Sequence, residues 1–326
     1  MAGKRLTPEQ HLQKLQAAAL DLHGQELVDV LESAMGSKSC IVVERAAKMV
    51  VELESRVSED CLRSAYDRFL IEPTENDRGC RAKLPLVEAL VYREHDDPDF
   101  YKDGMKYVQP DPVWGQVTDS AGNLRGACAF GLVHSRIASP AETMNSLIDL
   151  LADADRLARM HAARAITMTG SQCVVPVLRL KASIGDDACE VLGECFRGLL
   201  SHSPNNNADF VAGFLFQRED AAIEAATAIG ESRNERGVEK LLQACINCRD
   251  SVREAFYVSA ALSRIPAAIE FLLQLVRDDS QHAAIALKSL SPVRFYPGIA
   301  EQVEAAVIAA GNPKLKSLFT DAFESG

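Results

Sequence analysis

The segment between residues 94 and 103 carries the densest group of acidic side chains and is the first candidate for chemistry. Its carboxylates come from Glu94, Asp96, Asp97, Asp99 and Asp103. An EF-hand calcium loop requires ligands at alternating positions, a central glycine and a terminal glutamate. This segment lacks that spacing. We therefore interpret it as the solvated, acidic start of a helix, where negative charge complements the helix dipole.

Cysteine and histidine do not supply a complete set of metal ligands or catalytic groups. Cys245 and Cys248 form one Cys-x-x-Cys pair, but no second pair follows with the spacing that zinc requires. Both thiols lie in an apolar helical pattern, where cysteine acts as a small hydrophobic residue. We find no paired histidines, glycine-rich phosphate loop or Gly-x-Ser-x-Gly motif. The sequence thus predicts no catalytic residue, no metal and no cofactor, and we expect that the chain is not an enzyme.

Composition and charge restrict the kinds of partner. The chain has 326 residues, with 35 Lys and Arg against 46 Asp and Glu, which gives a net charge of −11. A chain this acidic repels a phosphate backbone, so we do not expect nucleic-acid binding. The N-terminus lacks the apolar core of a signal peptide, and no apolar run is long enough to span a bilayer. The nine cysteines are odd in number and scattered. We expect a cytoplasmic protein with reduced thiols and no membrane contact.

An apolar pattern recurs along the chain and predicts how its elements are arranged. Met144, Leu147, Ile148 and Leu151 show the spacing i, i+3, i+4, i+7, which marks one apolar face of a helix. Similar faces recur with a mean step of about 32 residues, which lies within the range of helical repeats. An alanine-rich second helix follows each of them. Since one helix pair cannot bury its apolar faces alone, the pairs must stack.

Two helix starts carry the residues of a capping box. Thr7-Pro-Glu-Gln10 and Ser139-Pro-Ala-Glu142 each place a hydroxyl residue before a proline and end on Gln or Glu. This order predicts a side-chain N-cap followed by a first-turn proline. We therefore expect helices to begin at both points.

Residues 146–166 (SLIDLLADADRLARMHAARAI) and 241–255 (LLQACINCRDSVREA) resemble HEAT repeats, in which a leucine-rich helix, an Asp turn and an alanine-rich helix follow one another. The resemblance extends from about residue 27 to the C-terminus. It implies an all-α fold, a right-handed α-α superhelix (HEAT-like solenoid) of about nine helix pairs with an N-terminal capping helix. We expect residues 1–24 to form the capping helix and residues 25–326 a single continuous solenoid, with an inserted loop at 95–122.

The resemblance also implies a ladder of aspartate and arginine side chains between successive units. The family positions map onto Arg125, Asp155 or Asp153 with Arg159, and Asp250 with Arg253. Units near residues 186–225 lack the arginine, so the resemblance leaves the continuity of the ladder open there.

The inserted segment 95–122 contains two aromatic candidates for partner binding, Tyr107 and Trp114, the latter being the only tryptophan. Insertions in repeat proteins map to loops on one face, often the binding face. Trp114 would then be a finger that projects toward a partner, since Trp and Tyr are favoured at binding hot spots. The other interpretation, which we favour here, is a packing anchor, because a side chain of this size usually buries most of its area locally.

These observations predict a non-catalytic protein-binding scaffold or adaptor that uses the concave face of a HEAT-repeat solenoid. The expected partners are proteins, and a small-molecule ligand is not expected. A first alternative, implied by HEAT-fold lyase subunits, is a tetrapyrrole (bilin) lyase-like subunit acting on a carrier protein, which would need a polar and aromatic pocket. A second is a HEAT-like nucleic-acid-binding protein or DNA glycosylase relative, which the acidic charge and single tryptophan disfavour.

Overall fold

The structure is a computed structural model that describes residues 7–324. The chain separates into two compact units, one that ends at Thr169 and one that begins at Gly170. We describe each unit by itself. The prediction of one continuous solenoid over residues 25–326 therefore stays a prediction.

The first unit consists of helices that pack in pairs and a short hairpin that lies beside α5. Its elements are α1 (Pro8–Asp21), α2 (Gly24–Met35), α3 (Cys40–Glu52), α4 (Glu59–Arg68), α5 (Pro73–Asn76), α6 (Lys83–Tyr92), α7 (Pro98–Gly104), β1 (Pro110–Val113), β2 (Gln116–Asp119), α8 (Gly122–His134), α9 (Pro140–Leu151) and α10 (Arg156–Met168). Helix α2 pairs with α3, α4 with α6, α7 with α8 and α9 with α10. The second helices α3, α6, α8 and α10 also pack in succession.

The start of the first unit agrees with the sequence, and the helix start at residue 140 agrees only in part. Helix α1 packs against α2 and α3, as expected of a capping helix. The Thr7 hydroxyl accepts from the Gln10 amide at 3.3 Å, and the Gln10 side chain accepts from the Thr7 amide at 3.0 Å. Helix α9 does begin after Ser139, but the Ser139 side chain caps nothing. The capping box at Ser139 is therefore wrong, and Glu142 instead accepts from Lys102 at 2.8 Å.

The second unit repeats the same arrangement. Its elements are α11 (Val174–Ile184), α12 (Cys189–His202), α13 (Pro204–Ala212), a 3₁₀ turn (Gly213–Phe216), α14 (Glu219–Ser232), α15 (Glu235–Asn247), α16 (Asp250–Ser263), α17 (Pro266–Arg277), α18 (Ala283–Leu290), α19 (Ile299–Ala310) and α20 (Pro313–Phe319). Each odd-numbered helix pairs with the one that follows, and α12, α14, α16, α18 and α20 pack in succession. The described residues thus form four pairs in the first unit and five in the second. The all-α repeat fold with about nine pairs is confirmed.

The inserted segment needs a local correction, because it is not simply a loop. It contains helix α7 and an antiparallel pair of strands, β1 and β2, joined by Trp114 and Gly115. Both turn residues have positive φ, 49° and 83°, as a two-residue type I′ turn requires. The sequence hid these strands because prolines occupy positions 110 and 112, and proline is confined to edge strands and bulges.

Candidate functional site

The hairpin formed by β1 and β2 is the candidate site, and its outer part is apolar and exposed. Trp114 stands at the tip with its side chain fully accessible, at 101% of the reference value. Val117 and Val113 near the tip are 72% and 40% exposed. The structure therefore shows that the packing-anchor interpretation of Trp114 is wrong. The physical reason is the turn, which directs residue 114 away from every surface that it could cover.

The backbone at Trp114 is strained. Its φ of 49° lies in the left-handed region, which side chains with a Cβ adopt at a cost of about 1–2 kcal/mol. Asparagine and glycine are the usual residues at this position of a type I′ turn, whereas a bulky residue is an outlier. No burial of the indole offsets this cost within the chain. Strain of this kind occurs preferentially at functional positions.

The base of the hairpin, in contrast, is held by hydrogen bonds to the buried Asp111 carboxylate. One oxygen of Asp111 accepts from the Gly79 amide at 2.6 Å, the Ser120 hydroxyl at 2.6 Å and the Gln109 side-chain amide at 2.9 Å. Burial alone would raise the pKa of Asp111, but these three bonds outweigh it and hold the pKa below its usual value. Asp111 is therefore a charged anchor that ties β1 to the turn before α6.

Gln109 links the hairpin to the body of the first unit. Its side chain is fully buried and donates to the backbone carbonyl of Asp77 at 2.8 Å. Its side-chain oxygen accepts from the Tyr107 hydroxyl at 3.0 Å and from the Cys80 thiol at 3.3 Å. Burial raises the pKa of the Cys80 thiol to about 11, so this thiol stays protonated at neutral pH. Every polar group of the Gln109 side chain thus has a partner inside the base.

A buried ion pair lies under these contacts. The Lys83 ammonium donates to Asp77 at 2.8 Å, and both side chains are fully buried. The ammonium also donates to the Phe69 carbonyl at 3.2 Å, and Asp77 accepts from the amides of Ala82 and Lys83. Such a pair is stable only when its remaining polar groups are also satisfied, and the loss of one partner is costly. The pair therefore fixes the segment on which the hairpin is built.

Arg125 closes the base on its other side. Its guanidinium donates to the Tyr107 carbonyl at 2.9 Å and pairs with Asp119 at 2.7 Å. It also reaches Asp153 in the following helix pair at 2.9 Å. Burial would raise the pKa of Asp119, but hydrogen bonds from backbone amides and from Arg125 lower it overall. Arg125 thus joins the end of β2, the segment between α7 and β1, and the next repeat.

The ladder residues that the resemblance implied are placed as follows. Asp153, rather than Asp155, accepts from Arg125, while Asp155 caps α10 by accepting from the amides of Leu157 and Ala158. Arg159 donates to the carbonyls of Asp153 and Ala154 within its own turn. One oxygen of Asp155 is thus engaged by the first turn of α10, and the ladder pairing of Asp155 or Asp153 with Arg159 stays a prediction.

In the second unit, Arg253 contacts residues that are near it in the chain, and Tyr257 in the next turn of α16 is one hydrogen-bond partner. Arg253 also donates to Asp250 and to the Cys248 carbonyl at 2.9 and 2.8 Å. Arg253 is buried, but the Asp250 side chain is 91% exposed. The carbonyl contact is therefore the more protected of the two.

The structure also places the other candidates from the sequence, Tyr107 and the acidic segment that contains Asp97. Tyr107 lies half-buried at the base, where its hydroxyl bonds Gln109 and its ring lies 5.6 Å from the Lys83 ammonium. It supports the hairpin rather than sharing the tip with Trp114. Asp97 caps α7 through the Phe100 amide at 3.1 Å, which agrees with the interpretation of the acidic segment as a helix start. Within residues 7–324 no group of three or more His, Cys, Asp or Glu is placed to hold a metal.

Sequence reasoning missed the residues of the base. Asp77, Lys83, Gln109 and Asp111 are separated by up to 34 positions, and no motif joins them. The one available signal in the sequence concerned the turn of the hairpin. In the order Val-Trp-Gly-Gln-Val, glycine follows a candidate first turn residue, and a valine lies on each side of the turn.

A second candidate lies wholly within the second unit, where a cavity of about 490 Å³ opens beside α12 and α14. Phe210, Phe214 and Leu192 form an apolar wall, and the two phenylalanine rings lie 5.4 Å apart. The polar lining includes Asp186 and the exposed Arg218. The cavity thus combines aromatic and charged groups.

Comparison with known proteins finds similarity among solved structures alone. No protein-family model matches it, and no curated protein matches its sequence. Similar solved structures include the CpcE–CpcF complex of phycocyanin lyase from Nostoc sp. PCC7120, with a TM-score of 0.36, 14% identity and coverage of 95% of this chain and 97% of that chain. An engineered protein has a TM-score of 0.34, 14% identity and coverage of 96% and 90%. Human deoxyhypusine hydroxylase in complex with glycerol has a TM-score of 0.24, 14% identity and coverage of 94% and 92%.

The prediction that the chain is not an enzyme is contradicted by these matches, because a phycocyanin lyase and a deoxyhypusine hydroxylase are among them. That prediction depended on the absence of short catalytic motifs. Catalytic groups are often brought together from distant positions, and one fold carries many activities. A chain without such motifs is therefore not excluded from catalysis, and we withdraw the prediction.

Among the described residues, no helix combines the length and apolarity needed to cross a bilayer.

Proposed function

We propose that this chain is a HEAT-like helical-repeat protein that binds a protein partner, with the Trp114 hairpin as the central contact. The observation that carries the proposal is a fully exposed indole on a rigid, buried polar base. A tryptophan side chain that enters a pocket buries about 150–250 Å². Truncation of such a residue at the centre of an interface typically costs about 2 kcal/mol or more.

Rigidity of the base strengthens the proposal. Binding by a mobile loop loses free energy, because the loop must be ordered when the complex forms. Here Asp111 and Gln109 hold the hairpin through buried hydrogen bonds before any partner arrives. The strained turn at Trp114 is likewise already formed. The backbone that carries the indole is thus already ordered, so mainly the Trp114 side chain remains to be ordered in the binding step.

The chemistry of the tip indicates an apolar pocket on the partner. Residues 112–118 (PVWGQVT) contain no charged side chain. Attraction between charges therefore contributes little to the contact, and salt should affect it weakly. A nucleic-acid partner would give the opposite result, because its affinity falls steeply with salt.

The test is affinity capture with the full chain as bait in cells that express it, followed by titration with the identified partner. Trp114→Asn should weaken binding by at least about 30-fold, the equivalent of 2 kcal/mol. Ile137→Asn is the matched control, because Ile137 is also an exposed apolar residue of the first unit, at 71%, but lies outside the hairpin. Equal affinities for the wild type and Trp114→Asn would contradict the proposal.

The cavity of the second unit favours a second candidate function, the bilin lyase-like role. Its volume of about 490 Å³ lies in the range of small-molecule sites, roughly 300–1,000 Å³. Phenylalanine faces suit a planar conjugated ligand, and the exposed Arg218 in the lining suits its carboxylates. Adding a bilin to the purified chain should shift the bilin absorbance spectrum, and Arg218→Ala should weaken that shift. A spectrum that the chain leaves unchanged would rule this candidate out.

A further inference from the structure

We infer that the outer edge of β2 binds an extended segment of the partner protein by strand addition, beside the pocket that receives Trp114. This inference rests on the proposed function, since it specifies how the same hairpin engages a protein. It adds a second recognition element, the backbone, and it specifies the conformation of the partner.

The two outer edges of the hairpin differ in their hydrogen-bonding groups. The register pairs Val113 with Gln116 and Pro112 with Val117. In an antiparallel ladder, pairs alternate between those that exchange hydrogen bonds and those whose N–H and C=O groups point outward. The pair flanking the turn exchanges bonds, so the backbone groups of Val117 point outward. The Ser120 amide, which donates to the Gln109 carbonyl at 3.0 Å, continues this alternation.

Proline closes the edge of β1. Pro110 and Pro112 occupy its outward-pointing positions, and proline has no N–H to donate. Helix α5 also packs beside β1. An added strand would therefore meet no donor at these two positions along β1. The edge of β2 keeps its donor and acceptor at Val117.

The exposed part of β2, residues 116–118, carries none of the side chains that usually protect an edge. Natural proteins place lysine, proline or a bulge on exposed edges to prevent pairing with other chains. Gln116, Val117 and Thr118 are all exposed, none is charged, and their register with β1 is regular. An unprotected edge on a hairpin with one proline-blocked strand indicates that pairing is directed to β2.

The side chains of the hairpin define the chemistry of the partner strand. Cross-strand pairs share a face, so Pro110, Pro112, Val117 and Asp119 lie on one face, and Asp111 points to the other, where it is buried. Toward the turn this face is apolar, and at its far end Asp119 pairs with Arg125. A strand added to β2 would continue this face with apolar side chains at alternate positions, next to Trp114. We therefore assign the partner site to an extended segment with alternating aliphatic or aromatic residues, a recognised mode of peptide recognition.

Selection of linear peptides from a phage-displayed library against the full chain supplies the probe, and selected peptides are titrated as synthetic, labelled molecules. Val117→Pro removes the outward N–H without removing a ladder bond, because the pair of Pro112 and Val117 exchanges no backbone hydrogen bonds. Val117→Thr is the matched control, because it keeps the N–H and the branched shape. We expect Val117→Pro to weaken binding about tenfold, as expected for one lost hydrogen bond, and Val117→Thr to change it less than about threefold.

Backbone N-methylation of the peptide provides the second arm and leaves the protein unchanged. Only every second amide of a peptide strand faces β2. Methyl groups on the amides that face β2 should therefore abolish binding, whereas methyl groups on the intervening amides should have little effect. Loss of amide protection at Thr118 would show that Val117→Pro disrupts the hairpin. In that case the N-methylated peptides alone test strand addition.

The outcomes separate the inference from the function on which it rests. Peptides that lose binding with Trp114→Asn but not with Val117→Pro or N-methylation would overturn strand addition and leave the hairpin as a binding element. Peptides insensitive to all three changes, or pairing of the chain only with a second copy of itself, would overturn the inference.

Discussion

Substitution of Trp114 by asparagine should make the hairpin more stable while it removes the proposed contact. Trp114 and Gly115 would become Asn-Gly, the preferred pair for a type I′ turn. No stabilising burial is lost, because the indole is fully exposed. An apolar residue whose replacement would make the fold more stable is most simply explained by a role in binding.

The expected size of the effect follows from the backbone. A residue with a Cβ in the left-handed region costs about 1–2 kcal/mol, and asparagine tolerates that region far better. The φ of 49° at Trp114 places it there. We therefore expect a gain of about 1 kcal/mol in the free energy of opening the hairpin, roughly a fivefold change in its equilibrium.

Hydrogen exchange measures this local opening directly, whereas global melting of a chain this long would not isolate it. The amide of Thr118 is the reporter, because it lies in the ladder but is not adjacent to the substituted residue. Its protection factor should rise about fivefold in Trp114→Asn. Gly115→Ala is the opposing control, since it places a Cβ at φ 83° without a steric clash and should lower the protection. Lower protection in Trp114→Asn than in the wild type would show that the indole packs on the hairpin, and would refute the reasoning.

Three further predictions concern the buried contacts. Lys83→Met should leave the Asp77 carboxylate buried without a counter-charge, which should cost about 3–5 kcal/mol and lower the melting temperature by about 6–20 °C. Adding Asp77→Asn to this variant should restore most of the lost stability. An unchanged melting temperature in Lys83→Met would mean that the ion pair contributes no stability. Because the pKa of Asp111 is lowered in the folded chain, its contribution is present above the usual value of 3.8 and is lost as the pH falls through the folded pKa. Asp111→Asn should therefore reduce the loss of hairpin amide protection on acidification, and an identical pH profile would contradict this. In denaturant titration, Arg253→Ala should destabilise the chain by about 1–2 kcal/mol. Asp250→Ala should change the stability by less than about 0.5 kcal/mol, because the Asp250 carboxylate is exposed. Equal effects of the two substitutions would contradict the conclusion that the carbonyl contact of Arg253 is the more protected one.

The repeat architecture could be predicted because its signal is local and recurs along the chain. An apolar face such as that of Met144, Leu147 and Leu151 fixes both a helix and the side on which it packs. Repetition at about 32 residues then implies stacking, since no single pair can form a core. Each helix pair therefore adds independent support for the same conclusion.

The base of the hairpin could not be predicted, because its contacts depend on distant residues. Lys83 begins the apolar helix α6 and would be expected to face solvent, yet Asp77 and the Phe69 carbonyl satisfy its ammonium in a buried position. The general rule that a large aromatic side chain buries its area failed at Trp114, because the turn and the prolines of β1 hold the residue outside the body. Local preferences commonly fail at functional positions.

The measurement that tests the central claim most directly is collisional quenching of Trp114 fluorescence by iodide in the intact chain. Since Trp114 is the only tryptophan, all indole emission reports on the tip of the hairpin. We expect a red-shifted emission that iodide quenches as readily as a free tryptophan derivative, and protection from iodide once the captured partner is added. A blue-shifted emission that iodide cannot reach in the chain alone would contradict the account, because the indole would then already be buried.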